Sequence, residues 1–370
     1  MKQLWLVMFL SVALIGCSDE STPEKLSAAD ISAGKVVADR ECKGCHGLDG
    51  KGTAPGIPNL AGQRGRYIMA ALKEYKEGTR THAALRQVAA NMSDDETRQV
   101  ATFYASLRPI QAPKPDQFSA YENGKKVAAT CTHCHGDNGN SKTPGTPSLA
   151  GQQPVYFVNA THEYLTGARK SAPMDPMLRR MNRLDIESAA LYFASQMPAQ
   201  RSAPPTGNAA EGEPRTAVCG GCHGSHGVST DSATPTLSAQ DPEYLTQAIK
   251  AYRTTRKHPL MSRLVAELSD QEIDDIVAFY TTQKSKPAES GETLLKEITT
   301  KCDRCHAGER DNPALAIPII AGQDKDYLTL ALRAYRDGKR GNSMMHNMSL
   351  PYGDSIIESL ASYYANQPAR

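Results

Sequence analysis

The chain has 370 residues, too long for one ordinary core and suited to two to four modest domains. It is 39% hydrophobic and 22% charged, the composition of a soluble globular protein, with no long apolar run after residue 16. A formal charge of +2 excludes a strongly basic or acidic chain and by itself says little more.

In chain order, residues 1–16 read as an export signal. Lys2 supplies the positive start, and Leu4 to Ile15 a short apolar stretch. That stretch falls short of the roughly 20 residues a membrane span needs. It closes on Leu14-Ile15-Gly16-Cys17, which resembles the bacterial lipobox, so Cys17 is expected to become a lipidated N-terminus. Several acyl chains anchor a protein stably by burying many methylenes. A polar tether over 17–27 follows. The expected location is the periplasmic side of the inner or outer membrane, and Ser18 leans towards the outer one.

Eight of the nine cysteines lie in four C-x-x-C-H sequences, and the ninth is Cys17. The four are Cys42 to His46, Cys131 to His135, Cys219 to His223 and Cys302 to His306. Counting forward from each His gives an ungapped register. Twelve residues on stand Pro58, Pro147, Pro235 and Pro318; seventeen on, Gln63, Gln152, Gln240 and Gln323. Tyrosines follow at twenty-one (Tyr67, Tyr156, Tyr244, Tyr327) and twenty-nine (Tyr75, Tyr164, Tyr252, Tyr335). Chance does not hold so many columns in register four times, so the chain is a fourfold internal repeat.

Each unit reads as mostly helical. A short helix carries the motif, a Gly/Pro-rich loop follows, a middle helix holds the tyrosines, and a last helix ends in aromatics such as Phe103-Tyr104. Ser93-x-x-Glu96 and Ser269-x-x-Glu272 are capping boxes that start this last helix in units one and three. Linkers rich in Pro and polar residues run from Pro109 to Gln117, Pro198 to Pro214 and Lys284 to Ser290. The expected domains are 28–108, 118–197, 208–284 and 290–370. The longest linker, between units two and three, suggests two pairs of neighbours in sequence. Units of about 80 residues bury a limited core and call for added apolar mass.

C-x-x-C-H carries specific chemistry. A zinc site commonly needs two cysteine pairs in one small unit, and each unit offers one. A thioredoxin-like pair sits in a βαβ pattern, which is lacking. Haem attachment needs two thiols spaced for two vinyl groups and an adjacent His to reach iron, and this motif supplies both. Covalent haem on Cys42, Cys45, Cys131, Cys134, Cys219, Cys222, Cys302 and Cys305 is therefore expected, with His46, His135, His223 and His306 as proximal ligands. Four haems carry eight propionates. Without residues 1–16 the protein part has 41 basic and 40 acidic residues, so the loaded protein is acidic and unsuited to nucleic acid.

At this point the chain resembles the class I cytochromes c, especially the dihaem c4 type, doubled. The resemblance rests on the attachment motif, the Pro-x-Leu-Ala-Gly-Gln loop (Pro58 to Gln63, Pro147 to Gln152) and a stretch leading to a Met. It implies an all-α fold of four tandem cytochrome c domains. By the same resemblance Pro58, Pro147, Pro235 and Pro318 hold their carbonyls against the proximal imidazoles, as an outer shell that orients a ligand. A Met sulfur is the implied sixth ligand, and Met174, Met261 and Met345 fit, with Met177 as a fallback in unit two. Unit one has Leu85 in that place, which cannot bind iron. His82 then becomes the candidate ligand of haem 1, ahead of Met92 and of an open iron. For the near-column Arg80, Arg169, Arg256 and Arg340 the default is exposed and solvated, and propionate pairing is the alternative.

The expected function is electron transfer between respiratory partners. The donor would be a quinol oxidoreductase or another cytochrome, the acceptor a terminal oxidase or reductase, and membrane contact comes only through the lipid. The alternative is a haem enzyme using an open haem 1.

Overall fold

The computed structural model describes residues 27–307, 316–341 and 343–370. The residues read as an export signal, Cys17 and the stretch read as a tether before Ser27 lie outside them. No helix among the described residues is long and apolar enough to cross a membrane. The regular elements are helical throughout. Unit one holds α1 (Ala28–Glu41), α2 (Lys43–His46), α3 (Gly65–Glu77), α4 (Ala83–Ala90) and α5 (Asp94–Ser106). Unit two holds α6 (Ala120–Ala128), α7 (Thr132–His135), α8 (Pro154–Leu165), α9 (Met174–Leu178) and α10 (Arg183–Ala194). Unit three holds α11 (Ala209–Arg215), α12 (Ala217–His223), α13 (Pro242–Ala251), α14 (Pro259–Val265) and α15 (Asp270–Thr282). Unit four holds α16 (Leu294–His306), α17 (Lys325–Arg336), α18 (Ser343–Ser349) and α19 (Asp354–Asn366).

Each motif helix is positioned by the crossing of a unit's first and last helices. In three units a glycine permits that crossing. A Cβ on Gly34, Gly124 or Gly212 would sit 2.0 Å from the carbonyl oxygen of Gln99, Ser188 or Asp275, so the helices meet backbone to backbone. Unit four carries Leu294 and Leu295 in that stretch instead. The aromatics of the last helices fill the cores: Phe103 and Tyr104 pack with Val37, Ile68 and Val100, while Phe279 and Tyr280 pack with Leu245 and Ile273. Burying one such ring contributes roughly 1.5–3 kcal/mol, so these small cores lean heavily on few side chains.

The units do not pair as linker length suggests. Unit one faces unit four, and unit two faces unit three. At the first seam the Gln63 amide donates to Ile319 O at 2.9 Å, and Gln323 donates to Asn59 O at 2.9 Å. The second repeats the pattern, with Gln152 donating to Thr236 O at 3.1 Å and Gln240 to Ser148 O at 2.9 Å. The linkers are used to tie units together. Along the first, Ala112 N donates to Gly322 O at 2.9 Å and Gln111 Nε2 to Ala365 O at 2.9 Å, so it runs over unit four. In the longest, Arg201 donates to Ser141 O at 2.7 Å and to Ala239 O at 3.0 Å, bridging units two and three. Length there spans a seam.

Units two and four are joined back to back. Ala120 shares a core with Ile298, Ile356, Leu360 and Tyr364. The last helices of units one, two and three start on their own caps, Ser93, Asn182 and Ser269. In α19 the position is Gly353, which has no side chain to cap with. Glu187 of α10 does the work from unit two: its Oε2 accepts from Ser355 N at 2.9 Å, and Arg183 Nε donates to Oε1 at 2.8 Å. A carboxylate at a helix N-terminus is favourable to the helix dipole. A Cβ at 353 would meet Glu187 Oε2 at 2.7 Å, which explains the glycine.

Candidate haem-attachment sites

In every unit the motif histidine is the last residue of its helix, four to seven residues long in units one to three and 13 in unit four, and turns Nδ1 onto the carbonyl twelve residues later. The distances are 3.0 Å for His46 to Pro58 O, 2.8 Å for His135 to Pro147 O, 2.8 Å for His223 to Pro235 O and 2.9 Å for His306 to Pro318 O. A carbonyl only accepts, so Nδ1 carries the proton and Nε2 keeps its lone pair. Burial pushes all four imidazoles below the ordinary histidine pKa, opposed in part by the carbonyl contact. They are therefore neutral near pH 7, with Nε2 as a donor for a metal.

The two thiols of each motif differ. Cys42, Cys131, Cys219 and Cys302 are buried or half-buried, while Cys45, Cys134, Cys222 and Cys305 are exposed. Burial pushes the inner thiols up, Cys42 to about 11, so they are protonated. Among the described residues no group of three or more His, Cys, Asp or Glu converges as a metal site. One imidazole with a free Nε2 beside two thiols does fit a porphyrin held by thioethers. The residues present suit haem.

The sixth-ligand candidates sit on short helices. Met261 and Met345 are each the third residue of their helix, and Met174 opens α9. Leu85 is the third residue of α4, so the helix places it in the methionine's register. Met92 is buried in the core with Val100 and Tyr104. His82 is the N-cap of α4: its Nδ1 accepts from Leu85 N at 3.3 Å, and its ring lies edge-on to Tyr75. A neutral imidazole accepting at Nδ1 has its proton on Nε2 and no lone pair left for iron. His258 repeats this, accepting from Met261 N at 3.2 Å with its ring edge-on to Tyr252. As placed, His82 caps a helix, and serving iron would release that cap.

The arginine near-column departs from the exposed default. Arg80 and Arg169 are 3% and 8% exposed, and each guanidinium lies over two column tyrosines, Arg80 over Tyr67 and Tyr75 and Arg169 over Tyr156 and Tyr164. Arg256 and Arg340 are placed likewise over Tyr244, Tyr252, Tyr327 and Tyr335. Arg80 reaches across the seam to Tyr335 Oη at 3.3 Å, and Tyr67 and Tyr327 hydroxyls meet at 3.3 Å. An offset of 34 residues from His in three units and 33 in the other was the one signal that these residues face a partner. Glu187 was missed, and the absent cap at Gly353 is where it showed.

Comparison with known proteins bears on these sites. The family model "Cytochrome c" matches residues 31–108 and 121–192, and "Cytochrome C oxidase, cbb3-type, subunit III" matches 207–279. Cytochrome c4 of Azotobacter vinelandii is 30% identical over 188 residues, covering 45% of this chain and 89% of that protein. This chain is thus about twice as long. A thiosulfate dehydrogenase electron acceptor of Stutzerimonas stutzeri is 31% identical over 171 residues, covering 42% of this chain and 78% of the relative. The crystal structure of reduced recombinant cytochrome c4 from Pseudomonas stutzeri is 26% identical and covers 45% of this chain and 99% of its own, with a TM-score of 0.41.

Proposed function

The chain belongs to the class I c-type cytochromes and is related to dihaem cytochrome c4, and from that premise we propose that it relays electrons through four c-type haems on the periplasmic side of a bacterial membrane. The observation that carries the reading is the fourfold recurrence of one imidazole, neutral and pinned by a proline carbonyl, beside two thiols. Bound haem supplies a one-electron iron couple. The chain's own part is to hold each imidazole in one tautomer, and at Met174, Met261 and Met345 to offer a thioether that closes the iron to substrate. Met ligation raises a haem's potential. Cys17 is proposed as the lipid anchor.

Redox proteins are the proposed partners: a quinol oxidoreductase or another cytochrome as donor, a terminal oxidase or reductase as acceptor. A relative named as an electron acceptor of thiosulfate dehydrogenase supports a carrier that takes electrons from an oxidised substrate's enzyme. Nucleic acid is not among the partners, given eight propionates added to a nearly neutral chain. The test is a haem-stained gel with intact mass from a host competent in cytochrome maturation. Four added macrocycles are expected, and a colourless protein or fewer than four would overturn the reading.

A second reading has an observation of its own. Leu85 offers no donor and His82 is engaged as a cap, so haem 1 is open to an outside ligand and suits enzyme chemistry. Carbon monoxide titration of the reduced protein separates the two. Binding at one haem of four favours the second reading, and none favours a closed relay.

A further inference from the structure

The glutamine column does more than hold the seams. Each glutamine grips the residue that follows the partner unit's proline, through both its backbone groups. Asn59 N donates to Gln323 Oε1 at 2.7 Å while Gln323 Nε2 donates to Asn59 O. Ile319 N donates to Gln63 Oε1 at 2.9 Å, Thr236 N to Gln152 Oε1 at 2.8 Å, and Ser148 N to Gln240 Oε1 at 2.7 Å. In every case the side-chain oxygen is also fixed from its own unit, by the backbone N–H of Arg64, Gln153, Asp241 or Asp324 at 2.8–3.0 Å. All four glutamines are 8% exposed or less.

The N–H taken by the glutamine and the carbonyl taken by the histidine belong to one peptide group. The Pro58–Asn59 peptide accepts from His46 on its oxygen and donates to Gln323 from its nitrogen. The Pro235–Thr236 peptide does the same between His223 and Gln152. Hydrogen bonds in a chain polarise one another, by about 10–30% per bond. A peptide whose N–H is engaged puts more negative charge on its oxygen and pulls harder on the imidazole proton. Outer hydrogen bonds of this kind raise the basicity of a ligating histidine.

We propose that each column glutamine is a positioning residue for the proximal histidine of the opposite unit, so that the four haem sites are tuned in crossed pairs: Gln63 on His306, Gln323 on His46, Gln152 on His223 and Gln240 on His135. The inference rests on the haem reading above. A stronger pull on the imidazole proton favours ferric iron and lowers the potential, so removing the glutamine raises it. The effect appears in the unit that was not mutated, because the altered peptide lies there.

The experiment uses the full-length matured protein and follows each haem separately in an NMR-monitored redox titration, together with the Nδ1–H resonances of His135 and His223. Gln152→Met is expected to change the oxidised-to-reduced ratio of unit three's haem about threefold at fixed potential, roughly 30 mV upward at 59 mV per tenfold. Unit two's own haem holds. Gln240→Met gives the mirror image. Gln152→Glu keeps an oxygen for the Thr236 N–H with more charge on it, and moves unit three's haem downward. A merely structural role would shift both variants the same way, or shift the mutated unit's haem. Either result, or no shift in a protein carrying four haems, overturns the proposal and leaves the electron-transfer reading standing. A protein without haem overturns both.

Discussion

Units one and three differ in their first helices, 14 residues against seven, and share the plan of their last two. Each starts its last helix with a Ser/Glu capping box, Ser93 with Glu96 and Ser269 with Glu272. Each starts its short fourth helix on a histidine whose Nδ1 accepts from the third residue's N–H. Each sets that imidazole edge-on to the second column tyrosine, at 6.2 Å and 6.3 Å between ring centres. The third residue itself differs, Leu85 against Met261. Helix, cap and histidine are thus retained whether or not a sulfur is present. The histidine answers to the helix in both units, and the proposed sixth position differs between them by one side chain.

The largest effect should come from exchanging that side chain. Leu85→Met is expected to close haem 1, weakening carbon monoxide binding by the reduced protein at least tenfold and raising that haem's potential, as Met ligation does. Met261→Leu should open a second binding haem in unit three. If wild-type protein takes no carbon monoxide, unit one has another ligand and the comparison breaks. Removing the caps is the next test. His82→Ala and His258→Ala should each cost about 0.5–2 kcal/mol in urea unfolding, the usual value of an N-cap, with similar losses in the two. A spectral change confined to His82→Ala would instead mark His82 as bound to iron.

Two smaller effects sharpen the likeness. Glu187→Ala uncaps α19 and leaves the Ser355 N–H without its acceptor, so a loss of about 1–3 kcal/mol is expected, read as earlier unfolding of units two and four than of one and three. The smallest concerns acid. The Ser93 backbone N–H, followed by Arg40, holds the Glu96 carboxyl down to about 2, and Ser93 and Ser269 hold Glu96 and Glu272 alike. An unfolded glutamate titrates at roughly 4.3. The folded carboxyls are the stronger acids, so their contribution is complete above that value and lost as pH falls towards 2. Glu96→Gln should flatten the acid limb of unfolding below pH 5. An unchanged slope would show that the box contributes nothing there.

Much of this was legible in the residues. The fourfold register and both Ser/Glu boxes announced the helical units, because capping and periodicity are local physics. The proline column announced where the imidazoles turn, since its offset is fixed by a loop of constant length. Pairing was not legible. Linker length bounds how far two units can separate and says nothing of which faces complement each other, and Gln111 and Arg201 turn those linkers into ties. The buried arginines were misjudged for a related reason. A guanidinium over tyrosines in its own unit reads as surface until the opposite unit covers it, as Tyr335 does for Arg80. The Glu187 cap crosses 168 positions of sequence, and only the missing side chain at Gly353 hinted at it.

The pairing of first with last and second with third has the form of nested parentheses. The inner partners, adjacent in sequence, can close on each other while the rest of the chain is still emerging. The outer partners must wait, since the surface that receives unit one is contributed by the final quarter of the polypeptide. Contacts between such distant stretches form slowly. A chain cut within unit four therefore deletes one module and bares the face that Gln63 and Asn59 of another present to it.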